Sequence, residues 1–283
     1  MPSQRHSFKR LVLGLQPNVP SGAFQFAAGL AELLDVELLG LFLEDTSLRD
    51  LARMPFAREL RPMNGGWYAL DVEQLSRDIN YAARNVEQMF AKATKNLGIR
   101  YQFEVARGHI GTVLSSLSRS SDIVMIVEPA SPVERAGQQF IWLIEAAFRS
   151  AAAVMIVPPR LERTKGPVVA IVAGAADPSF DVAAMVAGTA NEELVVIDIG
   201  ESKIDDAEIR RRAETADCRF RHIIVASPHA RSGTGALVHV LAPMQERLLV
   251  VTRGLFRDRD VTALASKRGV PTLVVEPIVA AVA

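Results

Sequence analysis

The chain of 283 residues balances 32 lysines and arginines against 32 aspartates and glutamates, with 49% hydrophobic and 23% charged residues. At roughly 100–200 residues per domain this length suggests two domains, and the composition supports a packed core rather than a disordered chain. Zero formal charge argues against a nucleic-acid partner, whose phosphates demand basic surface, and the single cysteine, Cys218, excludes an internal disulfide framework or a cysteine-rich zinc site.

The opening segment MPSQRHSFKRLVLGLQPNVP carries an apolar run of only five residues, short of a secretory core. No stretch reaches ~18 uninterrupted apolar residues, so no transmembrane segment is expected and a cytoplasmic location is. In chain order the apolar runs are LVLGL (11–15), VELLGLFL (36–43), YQFEVA (101–106), DIVMIV (122–127) and AVMIV (153–157). They are followed by VVAIV (168–172), ELVVIDI (193–199), FRHIIVA (220–226), RLLVV (247–251) and TLVV (272–275). Near-continuous Val, Ile and Leu mark strands covered on both faces. Helical patterns such as GAFQFAAGLAELL (22–34) lie between them, and this alternation predicts an α/β chain of parallel strands with crossover helices on both faces.

The ten strands form two similar sets of five. Gly111 to Val127 aligns without a gap on Gly235 to Val251, VMIVPP (154–159) matches TLVVEP (272–277), and Glu37 to Leu41 matches Glu193 to Ile197. The pattern is an internal duplication. It predicts a first domain over 1–159, a linker at 160–166 within PPRLERTKGP (158–167), and a shorter second domain over 167–283. The extra length of the first copy falls between strands two and three. There, residues 69–97 predict a long helix, with Val72, Leu75, Ile79, Ala82, Ala83, Val86, Met89, Phe90 and Ala93 on one stripe. Residues 46–66, with Pro55, Pro62 and Gly65–Gly66, predict a loop or two short turns. Leu48, Leu51, Met54, Phe56 and Leu60 suit packing on the domain, or docking of a protein or membrane surface.

These halves resemble the universal stress protein family. The resemblance is carried by ARGHIGTVLSSLSRSSDIVMIVEP (106–129) and by the approaches to each last strand, EAAFRSAAAVMIVPP (145–159) and VTALASKRGVPTLVVEP (261–277). It implies two tandem, doubly wound five-stranded parallel sheets with Rossmann-like or flavodoxin-like layering. It also implies pairing of the halves as an internal pseudo-dimer through AVMIV and TLVV, with homo-oligomers as a further form, and a role in the stress response. Nucleotide-binding members carry Gly-x2-Gly-x9-Gly and Ser or Thr after the fourth strand. Here the first copy offers only Gly137 and the second only Gly254, while the aspartate usual after the first strand corresponds to Gln16 and Ala173. ATP in the family manner is therefore not expected, nor any other cofactor.

In an open parallel sheet, ligands bind beyond the carboxyl ends of the strands. By that rule the candidate ligand-binding residues are Gln16 and Asn18, then Arg107, Gly108 and His109, then Ser227, Arg231, Ser232 and Gly233. Arg107-Gly108-His109 leads into a helix, where a guanidinium, an imidazole and free N–H groups suit an anion, and equally an ordinary helix start. SPHARSGTG (227–235) offers hydroxyls, glycines and Arg231 to a phosphate or carboxylate, although Ser and Gly also make plain caps and turns. Other residues that follow strands are Glu44, Asp45, Glu128, Ser131, Gly174, Asp177, Asp198 and Thr252 to Gly254. No nucleophile elbow and no metal-ligand spacing occur, so neither catalytic nor metal residues are assigned. The expected function is a non-enzymatic binding or regulatory module. The alternatives are a nucleotide- or anion-binding switch or weak hydrolase using the degenerate crevice, and a scaffold docking through residues 46–66.

Overall fold

The computed structural model describes residues 8–15, 19–61, 65–69, 71–95, 97–201, 203–225 and 234–277. The first half runs β1 (Arg10–Leu15), α1 (Ser21–Leu33), β2 (Glu37–Asp45), α2 (Thr46–Ala52), β3 (Arg58–Arg61), β4 (Gly66–Ala69) and α3 (Val72–Thr94). It continues through β5 (Tyr101–Gly108), α4 (Ile110–Leu117), β6 (Asp122–Val127), α5 (Pro132–Arg135), α6 (Gln138–Arg149) and β7 (Ala153–Val157). The second half runs β8 (Val168–Val172), α7 (Pro178–Ala190), β9 (Leu194–Asp198), α8 (Asp206–Thr215) and β10 (Phe220–Ile224). It ends with α9 (Gly235–Leu241), β11 (Leu248–Thr252), α10 (Asp258–Arg268) and β12 (Thr272–Val275).

Ten strands form one sheet in the order β10-β9-β8-β11-β12-β7-β6-β1-β2-β5. Pairing is parallel within each half and antiparallel only at β12–β7, where Thr272 faces Ile156, Leu273 faces Met155 and Val274 faces Val154. Two edges that would otherwise present unpaired backbone groups satisfy each other there. Along each central strand alternate residues enter opposite core layers. Met155 and Val157 join one layer with Val168 and Ala170, while Val154 and Ile156 join the other with Val169 and Ile171. Both layers therefore cross from one half to the other. Each fully buried aliphatic side chain contributes about 1.5–3 kcal/mol.

The insert departs from the sequence expectation. Its first part is not a loop with turns but α2 followed by a two-stranded antiparallel hairpin, in which Leu60 pairs with Trp67 and Arg61 with Gly66. Gly65 turns the hairpin with φ of +61°, which a side chain would oppose. The long helix starts where the Asp71 carboxylate accepts from the N–H groups of Glu73 and Gln74, satisfying two of the helix's orphan donors. Of its apolar stripe, Ala83, Val86 and Phe90 are buried against the sheet, and Ile79, Ala82, Met89 and Ala93 are partly so. Residues 160–166 hold neither helix nor strand and are fastened to the second half. The Glu162 N–H donates to the Gly269 carbonyl, and the Gly166 N–H donates to Glu192 Oε1 at 3.1 Å. Among the described residues no helix is long and apolar enough to cross a membrane.

Candidate ligand cleft

Strand order reverses between β1 and β6 in the first half and between β8 and β11 in the second. The crossovers on either side of such a point leave in opposite directions, and a crevice opens beyond the strand ends. In the first half a cleft of about 470 Å³ lies there. Val19, Pro20, Val127, Pro129 and Phe140 supply its apolar surface. Its polar side chains are Glu128, Glu134, Gln138 and Gln139, and no lysine or arginine lines it among the described residues. That size and make-up suit a small organic ligand.

Glu128 dominates the electrostatics. It follows β6 directly and is fully buried. One carboxyl oxygen, Oε2, accepts from the Ser266 hydroxyl on α10 of the other half. The other, Oε1, is buried without a hydrogen-bond partner. Burial pushes this carboxyl above the usual carboxylate range, more than the Ser266 hydrogen bond and the Arg135 charge pull it down. Arg135 does not line the cleft; its Nη1 donates to the carbonyls of Pro129 and Ala130 at 2.8 and 3.1 Å, and its charge acts on Glu128 from outside the lining. Gly137 starts α6, and a Cβ there would stand 2.9 Å from the Glu134 carbonyl oxygen, so the tight turn needs a glycine without any phosphate.

The corresponding place in the second half is spanned by side chains. Asp177 caps α7 and accepts from the N–H groups of Ala173 and Ser179, from the Ser179 hydroxyl and from the Thr252 hydroxyl. Thr252 stands where the duplication puts Glu128 in the first half, and the N-cap of α1 is Pro20, which has no side-chain cap to offer. An aspartate–threonine bridge in one copy and a proline–glutamate pair in the other thus set the two crevices apart. Asp198 makes its own turn, accepting from the N–H groups of Gly200 and Ile204, both at 2.8 Å. Arg253, beside Thr252, reaches across the joint to the carbonyls of Phe148, Ser150 and Ala152.

Of the candidate residues from the sequence, Gln16, Asn18, Ser227, Arg231, Ser232 and Gly233 lie outside the described residues. Arg107 and Gly108 end the edge strand β5 and His109 follows it, two strands away from β1 and three from β6. The Arg107 Nε donates to Glu44 Oε2 at 2.8 Å, joining β5 to the end of β2. Gly108 takes φ of +147°, and a Cβ would press on Val113 at 3.1 Å, so its turn requires glycine. His109 is the N-cap of α4 with no side-chain cap bond. The cleft residues Val19, Pro20, Glu134 and Gln138 carry no motif. Phe140 forms a wall of the cleft, while Trp142 and Trp67 are exposed at 46% and 64%.

No family model matches the sequence, and no curated protein does. Solved structures do. The crystal structure of a universal stress protein from Archaeoglobus fulgidus is similar at a TM-score of 0.64 and 15% identity, covering 96% of this chain and 97% of that one. A functionally unknown protein from Pseudomonas aeruginosa is similar at a TM-score of 0.52 and 13% identity, covering 96% and 94%. Along nearly its whole length the chain has the fold of a universal stress protein.

Proposed function

We propose that this chain is a tandem universal stress protein-like binding module, non-enzymatic and regulatory in a stress-associated role. It takes a small ligand in the cleft of its first half and does not bind ATP in the manner of the glycine-loop members. The observation that carries this reading is the cleft at the β1/β6 reversal, which among the described residues presents two carboxyl groups and no cationic side chain. A triphosphate placed there would meet Glu128 and Glu134, and among the described residues the lining offers no cation and no second glycine to offset them. The antiparallel joint, Arg253 and the Ser266–Glu128 hydrogen bond support an internal pair in which one half binds and the other braces.

Thermal unfolding with millimolar Mg-ATP, AMP or inorganic polyphosphate tests the reading. A ligand present at a hundred times its Kd stabilises by about 2.7 kcal/mol, which is a shift of several degrees at this chain length. The unfolding temperature should stay where it is with all three compounds. A rise specific to Mg-ATP would overturn the proposal in favour of a nucleotide switch.

A further inference from the structure

We infer that the ligand of the first-half cleft is a small primary amine with an apolar body, its ammonium group held by Glu128. The inference rests on the cleft reading above and names the chemistry of what the cleft takes.

Three features converge on it. First, Glu128 is fully buried, lines the cleft and keeps Oε1 without a partner, although a buried acceptor left unsatisfied costs about 1–3 kcal/mol. Its other oxygen is committed to Ser266, so the carboxyl is held in place with one acceptor still to fill. In its ionised form that oxygen takes a hydrogen-bond donor. Second, Glu134 adds another acid to the lining, no lysine or arginine lines the cleft among the described residues, and the Arg135 guanidinium is turned to the backbone carbonyls of Pro129 and Ala130. A cation is favoured over a neutral hydroxyl, and an anion is opposed. Third, Val19, Pro20, Val127, Pro129 and Phe140 form a wall that rewards an alkyl or aromatic body and leaves a highly hydrated polyamine without contacts. The same carboxyl touches the ligand on one side and α10 of the other half on the other. Occupancy of the cleft therefore bears directly on the joint between the halves.

Isothermal titration of the full chain with 2-phenylethylamine, 2-phenylethanol and 3-phenylpropionate separates the possibilities. These three probes share an aromatic body and differ in the head group. The amine should bind at least about tenfold more tightly than the alcohol, and the carboxylate should bind least. Glu128→Gln keeps an acceptor for Ser266 and should weaken amine binding at least about tenfold without lowering the unfolding temperature. Glu145→Gln, on the exposed face of α6, should leave binding unchanged. Equal affinity for amine and alcohol, preference for the carboxylate, full amine affinity in Glu128→Gln, or no binding of any probe would each overturn the amine inference. None of these produces the Mg-ATP shift that would overturn the functional reading, so the two failures are distinguishable.

Discussion

Arg253→Ala lowers stability by about 3 kcal/mol and the thermal midpoint by roughly 6–12 °C, the largest loss expected from any single polar side chain here. Its guanidinium, 17% exposed, donates to Ser150 and Ala152 at 2.8 and 2.7 Å and to Phe148, and faces the Glu276 carboxylate at 2.7 Å. The three carbonyls belong to the turn from α6 into β7, so a residue of the second half satisfies the backbone of the first. Alanine would strand those acceptors and leave Glu276 without its counter-charge, while burial already holds that carboxyl above its ordinary range. Arg253→Lys should recover less than half of the loss, because an ammonium cannot reproduce a planar fork aimed at several carbonyls. Urea and thermal denaturation followed by circular dichroism would read both variants. A fall below about 2 °C in Arg253→Ala would mean that strand pairing at β12–β7 holds the halves without help.

Phe90→Ala should cost about 3–5 kcal/mol, the usual range for truncating a buried aromatic. Phe90 is 1% exposed and fixes α3 to the sheet. It packs edge-on to Phe24 with ring centroids 6.4 Å apart and to Tyr101 at 6.0 Å, and tilted against Phe103 at 6.0 Å. Gly40 on β2 makes the approach possible, because a Cβ there would stand 3.1 Å from the rings of Phe90 and Phe103. Tyr101 and Phe103 lie on the edge strand β5, whose outer side has no neighbouring strand among the described residues. Loss of the Phe90 ring should therefore speed hydrogen exchange along Tyr101–Gly108 and leave β8, β11 and β12 protected. Uniform acceleration in both halves would show instead that the ten strands open as one unit.

Fully apolar strands were legible because burial on both faces leaves a plain mark, and DIVMIV, AVMIV and VVAIV lie in the sheet where their composition put them. The stripe from Val72 to Ala93 was legible for the matching reason, a single buried face on an otherwise polar helix. The hairpin of the insert was not. Its strands, RELR and GWYA, are four residues each, too short for alternation to separate them from a turn. The cleft was harder still. Glu128 stands out as an acid after an apolar strand, but its partner Ser266 is 138 residues away and its neighbours come from separate segments at 19–20, 127–129 and 134–140. Nor does the sequence disclose that Asp177 reaches Thr252 in one copy while Pro20 caps α1 without a side-chain bond in the other. That difference depends on side-chain geometry across strands distant in sequence.

The measurement that reaches the central claim most directly is methyl NMR of valine-labelled protein titrated with 2-phenylethylamine and, separately, with Mg-ATP. Val19 and Val127 line the first-half cleft, whereas Val172 ends β8 and Val251 is the last valine of β11, the two strands at the reversal of the second half. The amine should move the resonances of Val19 and Val127, leave those of Val172 and Val251 in place, and have no counterpart in the Mg-ATP titration. Shifts centred on Val172 and Val251, or shifts at Val19 and Val127 caused by Mg-ATP, would contradict a non-nucleotide ligand site in the first half.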